Sequence, residues 1–217
     1  MTPKHSIAVR LKLIEFSLFI ILFLLQFGFN SCGKKYSPEQ LAYIHGIEKL
    51  RKEKDNDMKN DPDSPFQRDK NVPFHNLNYF PVDPNYVFHS KLYLYNNQDT
   101  VSIFGTKGEE RKIVRYGYVT FNLNNTNYKL NVYKGKSSSG SIYYTIWFTD
   151  KTTNVETYGV GRYLDFDLSP DTNYIYTIDF NMAYNPYCAY TPMYSCAIPR
   201  KEDHIDAAIE AGEKKFH

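Results

Sequence analysis

The sequence lacks the spacings that mark most metal and nucleotide sites. Its 217 residues include three cysteines and one tryptophan, and they contain neither a C-x-x-C pair nor an H-x-E-x-x-H pattern of zinc ligands. They also contain no glycine-rich phosphate loop. We therefore predict no metal ligand set, and the sequence identifies no cofactor.

An excess of charge is also missing once the N-terminal segment is set aside. The formal net charge of +2 belongs to residues 1–31, which carry Lys4, Arg10, Lys12 and Glu15. The remaining chain is formally neutral. Because a nucleic-acid-binding protein needs a basic surface to neutralise phosphates, we predict no nucleic-acid partner.

No apolar run reaches the ~20 residues of a comfortable membrane span. Residues 18–25 are apolar, follow Arg10 and Lys12, and precede Ser31 and Cys32. This pattern predicts a signal peptide over residues 1–31 and resembles the lipobox of lipoproteins of Bacteroidetes-type bacteria, in which the cysteine is acylated. Lipidation at Cys32 would place the protein in the cell envelope, anchored to a membrane by its acyl chains. An uncleaved anchor and plain secretion are the alternatives.

Aromatic residues are abundant, with 20 Tyr and 15 Phe. Aromatic and β-branched enrichment with period-two alternation predicts a mainly β fold, a single antiparallel small barrel or sandwich of about seven to eight strands. Residues 141–150 are apolar on both faces, as in a central strand. We predict a tether over residues 32–36, a helix over residues 37–60 and a β-rich domain over residues 61–217.

Both predicted helices rest on apolar spacing. Ser37 and Pro38 suit a helix start, and Leu41 and Leu50 belong to a stripe at helical intervals. The charged residues that follow this stripe are interpreted as a solvated face. Near the C-terminus, Ile205 and Ile209 predict a short final helix.

The loop after the last long strand carries Cys188 and Cys196. Two cysteines in one loop of an exported protein favour a disulfide that closes a short loop. A metal ligand pair and a reactive thiol are the alternatives.

Two groups of polar residues are candidate ligand contacts. Asp179 and Asn181 fall on one face where the last strand ends, so they either point into a pocket or bond the loop backbone. Asp150, Glu156 and Arg162 lie close in sequence and form either a polar binding cluster or a structural salt bridge.

Tyrosines in the loop that carries the cysteines add a third possibility. Their rings are amphipathic, so they are suited to line a sugar- or ring-binding surface, although an aromatic-rich chain places several there by chance. The four residues are Tyr184, Tyr187, Tyr190 and Tyr194.

The strings ETYGVGRYLD (156–165), DFNMAYNPYCAY (179–190) and YSCAIPRKEDH (194–204) resemble domain of unknown function 1684. This bacterial and archaeal family includes many envelope lipoproteins, and the likeness runs from about Leu50 to Phe216. The resemblance implies no established activity. It marks as recurring positions Asp150, Glu156, Thr157, Tyr158, Arg162, Asp179, Asn181, Tyr184, Asn185, Cys188 and Cys196, of which Tyr184 and Asn185 join the ligand-binding candidates.

The sequence therefore favours an envelope lipoprotein with a binding or structural role and a possible small-molecule pocket near Glu156, Arg162, Asp179 and Asn181. A hydrolase-like enzyme that uses this cluster is one alternative. A cofactor-binding split barrel is another.

Overall fold

A 23-residue helix, α1 (Pro38–Asn60), opens the folded domain and confirms the predicted N-terminal helix. The computed structural model describes residues 34–137 and 139–217. The predicted signal peptide and Cys32 lie outside the described residues. No helix in the described part of the chain has the length and apolar character needed to cross a membrane.

The contact face of α1 differs from the predicted stripe. Ile47 and Met58 are buried, whereas Leu41 and Leu50 are 43% and 46% exposed. Arg51 stands four residues after Ile47, on the same side of the helix, because residues four apart are neighbours on a helical surface. The helix thus faces the domain with polar as well as apolar side chains.

Within residues 61–137 and 139–217, nine strands form most of the fold. A short helix, α2 (Pro65–Arg68), precedes them. Seven strands belong to one sheet in which β2, β4, β5, β6 and β7 are neighbours in that order, β3 extends the β4 edge and β9 pairs in parallel with β6. β1 and β8 form a separate two-stranded sheet. The strands are β1 (Val87–Ser90), β2 (Tyr93–Leu94), β3 (Thr100–Phe104), β4 (Glu110–Leu123), β5 (Thr126–Lys136), β6 (Ile142–Asp150), β7 (Arg162–Asp165), β8 (Tyr176–Asp179) and β9 (His204–Ile205).

The sheet stays open, so the barrel alternative is wrong for the residues that the structure describes. β7 is an edge strand of four residues. Its outer side pairs with the loop at Tyr184, whose backbone exchanges hydrogen bonds of 2.9 and 3.0 Å with Tyr163. A loop therefore covers the edge that a further strand would have to occupy in a barrel.

β6 is buried on both faces, as its sequence predicts. Ile146 and Phe148 belong to the main core, with Val119 and Leu130 from β4 and β5. Trp147, on the opposite face, packs in a second cluster with Tyr133. The central strand therefore separates two apolar layers, and the β7 end of the sheet lies beside both.

The predicted C-terminal helix is wrong. Only a 3-10 turn, Lys201–Asp203, and the two-residue strand β9 form there. The rest of the segment is irregular, with Ile209 and Ala211 fully buried. Gly212 has φ of +76°, and a Cβ there would lie 2.5 Å from the carbonyl oxygen of Ala183. Contacts with the core along its length hold the segment in place, whereas a helix would be held by its own internal hydrogen bonds.

Candidate functional site

Asp150 and Arg162 form a buried ion pair. Arg162 Nη2 donates to Asp150 Oδ2 at 2.6 Å, and the side chains of Arg162 and Asp150 are 1% and 0% exposed. The other oxygen of Asp150 accepts from the backbone and hydroxyl of Thr152 at 2.6 and 2.5 Å. Burial lowers the pKa of Arg162, while the charge of Asp150 acts in the opposite direction.

The two terminal nitrogens of Arg162 also hold the C-terminal segment. Nη2 donates to the carbonyl of Ile209 at 2.8 Å, and Nη1 donates to the carbonyl of Ala211. These bonds satisfy carbonyl groups that a helix would have paired internally. The pair is therefore engaged with protein groups, and its arrangement supports a structural role.

Asn181 joins three parts of the chain. Its side-chain oxygen accepts from Asp83 N at 2.9 Å, and its Nδ2 donates to the Asp83 carbonyl at 2.8 Å and to Tyr43 Oη at 3.0 Å. Asp179 accepts from Tyr43 Oη at 2.8 Å. Burial, followed by the hydrogen bond to Asp179, raises the pKa of Tyr43. This network attaches α1 to the end of β8.

An open cavity of about 730 Å³ lies between α1 and the ends of β7 and β8. We call it the polar pocket. Four of the sequence-predicted candidates line it: Asp179, Asn181, Tyr184 and Tyr187. Asp165 and Asp167 also line it, and both are exposed.

The opposite wall of the polar pocket includes cations that the sequence analysis assigned to solvent or did not consider. Arg51 donates to the carbonyls of Phe80 at 2.8 Å and Asn181 at 3.2 Å. Lys54 Nζ forms a 2.5 Å salt bridge with the buried carboxylate of Glu213. Ile47, Arg51, Lys54 and Met58 recur at helical spacing, a pattern that could have assigned both cations to the packed face.

A second concave surface of about 460 Å³ adjoins the polar pocket. We call it the aromatic groove. Half of its lining residues are aromatic: Tyr143, Tyr144, Trp147, Tyr163, Tyr184, Tyr187 and Tyr194. Three of these seven, Tyr184, Tyr187 and Tyr194, are candidates from the sequence alone. The other four belong to β6 and β7, and only the sheet registers bring them beside the loop.

Tyr184 and Asp165 form the seam between the two cavities. Both residues line both cavities, as does Tyr187. Tyr184 Oη donates to Asp165 Oδ1 at 2.7 Å. Burial, followed by the charge of Asp165, raises the pKa of Tyr184, so the phenol stays protonated and continues to donate. The seam presents a ring beside an exposed carboxylate.

The other predicted residues lie elsewhere. Glu156 is exposed and lines neither cavity. Asn185 is buried, and its Nδ2 donates to the Lys214 carbonyl at 2.8 Å. Tyr190 is buried and donates to Glu213 Oε2 at 2.6 Å, so it belongs to the interior and not to the groove.

Cys188 and Cys196 are adjacent free thiols. Cys188 N donates to Cys196 Sγ at 3.2 Å. The side-chain hydrogen bond from Cys196 lowers the pKa of Cys188 to about 7. Their proximity suits the predicted disulfide, which stays a prediction. Within residues 34–137 and 139–217, no group of three or more His, Cys, Asp or Glu side chains is placed to hold a metal ion.

The sequence pattern of the family described as Protein of unknown function (DUF1684) matches residues 72–214. The chain belongs to the DUF1684 family. This confirms the resemblance found in the sequence. The family description states no activity.

One solved structure similar to this DUF1684 protein is the solution NMR structure of an uncharacterized protein from Haloarcula marismortui. The TM-score is 0.58 and the sequences are 26% identical, over 81% of this chain and 96% of the other. A search of curated proteins gives no match.

Proposed function

We propose that this DUF1684 protein is an envelope lipoprotein, anchored through Cys32, whose domain binds a small polar molecule in the polar pocket. The observation that carries the binding proposal is the pair Asp165 and Asp167 in the pocket lining. Both are exposed at the edge of β7, on either side of the buried Phe166. Exposed carboxylates of this kind offer hydrogen-bond acceptors to hydroxyl or amine groups of a ligand.

The pocket is of a suitable size for a ligand. Its volume of about 730 Å³ falls within the range of roughly 300–1,000 Å³ typical of small-molecule sites. Its wall is pre-organised, because Asn181 and Tyr43 connect α1 to β8 at the pocket's edge. Ligand binding therefore needs little ordering of the protein.

The residues of the proposed binding site differ from the cluster that the sequence predicts. Of Glu156, Arg162, Asp179 and Asn181, only Asp179 and Asn181 line the pocket. The hydrolase alternative loses support, because the buried Arg162 is engaged by Asp150 and backbone carbonyls.

A thermal-shift screen tests the binding proposal. Full-length protein is screened with monosaccharides, cyclitols and free amino acids, and each stabilising compound is repeated on Asp167→Asn. At 100 times its Kd, a ligand adds about 2.7 kcal/mol of stability, equivalent to roughly 5–10 °C in Tm for a domain of this size.

The matched control for Asp167→Asn is Asp57→Asn. Asp57 is exposed on α1 and lines neither cavity. We expect a ligand to stabilise wild type and the control equally and Asp167→Asn less. No stabilising compound, or an equal shift in all three proteins, would contradict the proposal.

The anchoring proposal has its own test. Cys32→Ser removes the thiol that would be acylated. The protein should then either leave the membrane fraction or accumulate as a precursor whose N-terminal segment is not cleaved. Mass spectrometry of the wild-type protein should show acyl chains on Cys32. An unmodified Cys32 in the mature protein would show that the protein is not a lipoprotein.

A further inference from the structure

The aromatic groove has the composition of a surface that packs against a ring-shaped ligand. Tyr143 and Tyr187 expose 42% and 41% of their surface. Trp147 and Tyr163, which contact each other at a centroid distance of 5.7 Å, also line it. Amphipathic rings gathered in a concavity offer apolar faces together with hydroxyl groups. Exposed tyrosines scattered over the surface would not form such a concavity.

The Tyr143 ring has a supported position. It lies across Gly135 on the adjacent strand, where an added Cβ would come within 2.3 Å of the Tyr143 ring. Tyr187 packs edge-to-face on Tyr194 at 5.1 Å. Rings that are already packed lose little conformational entropy when a ligand lies on them.

The groove and the polar pocket share their central residues. Asp165, Tyr184 and Tyr187 line both cavities, so the two cavities are adjacent and both open to solvent beside the same three residues. The Tyr184–Asp165 hydrogen bond lies at this junction. The combined surface therefore suits an elongated molecule with more than one ring.

The charges around the seam favour a neutral ligand. Lys54 Nζ already lies 4.8 Å from the Tyr184 ring centroid, and the Arg51 guanidinium lies 4.4 Å from that of Tyr79. These cations disfavour a cationic ligand on the same rings. The exposed carboxylates of Asp165 and Asp167 repel phosphates and other anions. Hydroxyl groups can donate to those carboxylates without bringing charge.

We infer that the aromatic groove and the polar pocket together bind a neutral oligosaccharide, with pyranose rings on the groove tyrosines and hydroxyl groups donating to the carboxylates at the seam. This inference rests on the proposed binding function of the polar pocket. It names the ligand class and extends the site to residues of β6, β7 and the loop near the cysteines.

The chain carries its own reporter for the groove. Trp147 is the only tryptophan in the sequence, and it lines the groove but not the pocket. Full-length protein is titrated with cellotriose and with triacetylchitotriose, while tryptophan emission and calorimetric heat are recorded. We expect at least one trisaccharide to give a saturable emission change with the same Kd as the calorimetric binding.

Tyr187→Ala removes a partly exposed ring at the junction and should weaken trisaccharide binding by about tenfold, the effect of one well-used aromatic contact. Tyr174→Ala is the matched control. Tyr174 is 47% exposed and lines neither cavity. Circular dichroism and melting temperature verify that both variants are folded.

The outcomes separate this inference from the proposed function. Absence of calorimetric binding by both trisaccharides overturns the oligosaccharide inference, and a compound that depends on Asp167 in the thermal screen would still support the pocket. Binding without a change in Trp147 emission and without an effect of Tyr187→Ala overturns the groove. A tenfold loss in Tyr187→Ala, with Tyr174→Ala unchanged, supports the inference.

Discussion

The Asp150–Arg162 pair and the Asp165–Asp167 edge lie within 18 residues of one another but have opposite surroundings. Arg162 is 1% exposed, and its two terminal nitrogens donate to Asp150 and to carbonyls of the C-terminal segment. Asp165 and Asp167 are exposed beside a cavity. The first region uses charge to hold the chain together, and the second leaves charge available to a ligand. Charged residues close in sequence therefore say little about function until their partners are known.

The largest expected effect is a loss of stability when the buried Asp150–Arg162 pair is broken. Arg162→Met leaves the buried Asp150 carboxylate without its cation and frees the carbonyls of Ile209 and Ala211. Breaking such a pair costs about 3–5 kcal/mol. Urea unfolding of the variant should show a loss of that size in the free energy of unfolding.

A double variant sharpens this result. In Asp150→Leu/Arg162→Met both charges are absent, so the loss should be smaller than in Arg162→Met alone. A loss below about 1 kcal/mol in the single variant would mean that the pair does not hold the C-terminal segment.

An intermediate loss of stability is expected at Asn181, which lies between the buried interior and the polar pocket. Asn181→Ala removes the two hydrogen bonds that this side chain forms with the N–H and the carbonyl of Asp83 at the edge of the polar pocket. We expect a loss of about 1–3 kcal/mol in a denaturant titration. Asn122→Ala, at an exposed site with one side-chain partner, should change stability by less than about 0.5 kcal/mol. Equal losses would remove the distinction between the two asparagines.

The smallest effect has the opposite sign. Tyr79 Oη is buried and, among the described residues, forms no hydrogen bond of good geometry, although Glu213 lies close enough to interact with it. Burial, followed by the nearby charge of Glu213, raises the pKa of Tyr79. Tyr79→Phe removes an unsatisfied hydroxyl at the pocket wall, so thermal unfolding should show a gain of up to about 1 kcal/mol. A clear loss would reveal that the hydroxyl is paired.

Several features could be predicted because they depend on local pattern. The helix α1, the mainly β character and the two-sided burial of β6 follow from caps, aromatic composition and apolar spacing. Asp179, Asn181 and Tyr184 line the polar pocket, but that they contact a ligand stays a prediction. Each of these inferences uses residues close together in the chain.

The C-terminal segment shows why such inference has limits. Ile205 and Ile209 have helical spacing, but Arg162 takes the carbonyls of Ile209 and Ala211, and Gly212 adopts a positive φ. Tertiary hydrogen bonds here outweigh the intrinsic preference for a helix, which is worth only a few tenths of a kcal/mol per residue.

The sequence by itself determined the family, the mainly β class and the N-terminal helix, because these depend on composition and on short-range spacing. Only the tertiary structure decided which charged side chains are buried and paired and which face a cavity. Lys54 meets Glu213 across 159 residues, and Tyr184 meets Asp165 across 19. The register of the strands and the packing of α1 bring such partners together. The spacing of these residues in the sequence predicts neither the register nor the packing.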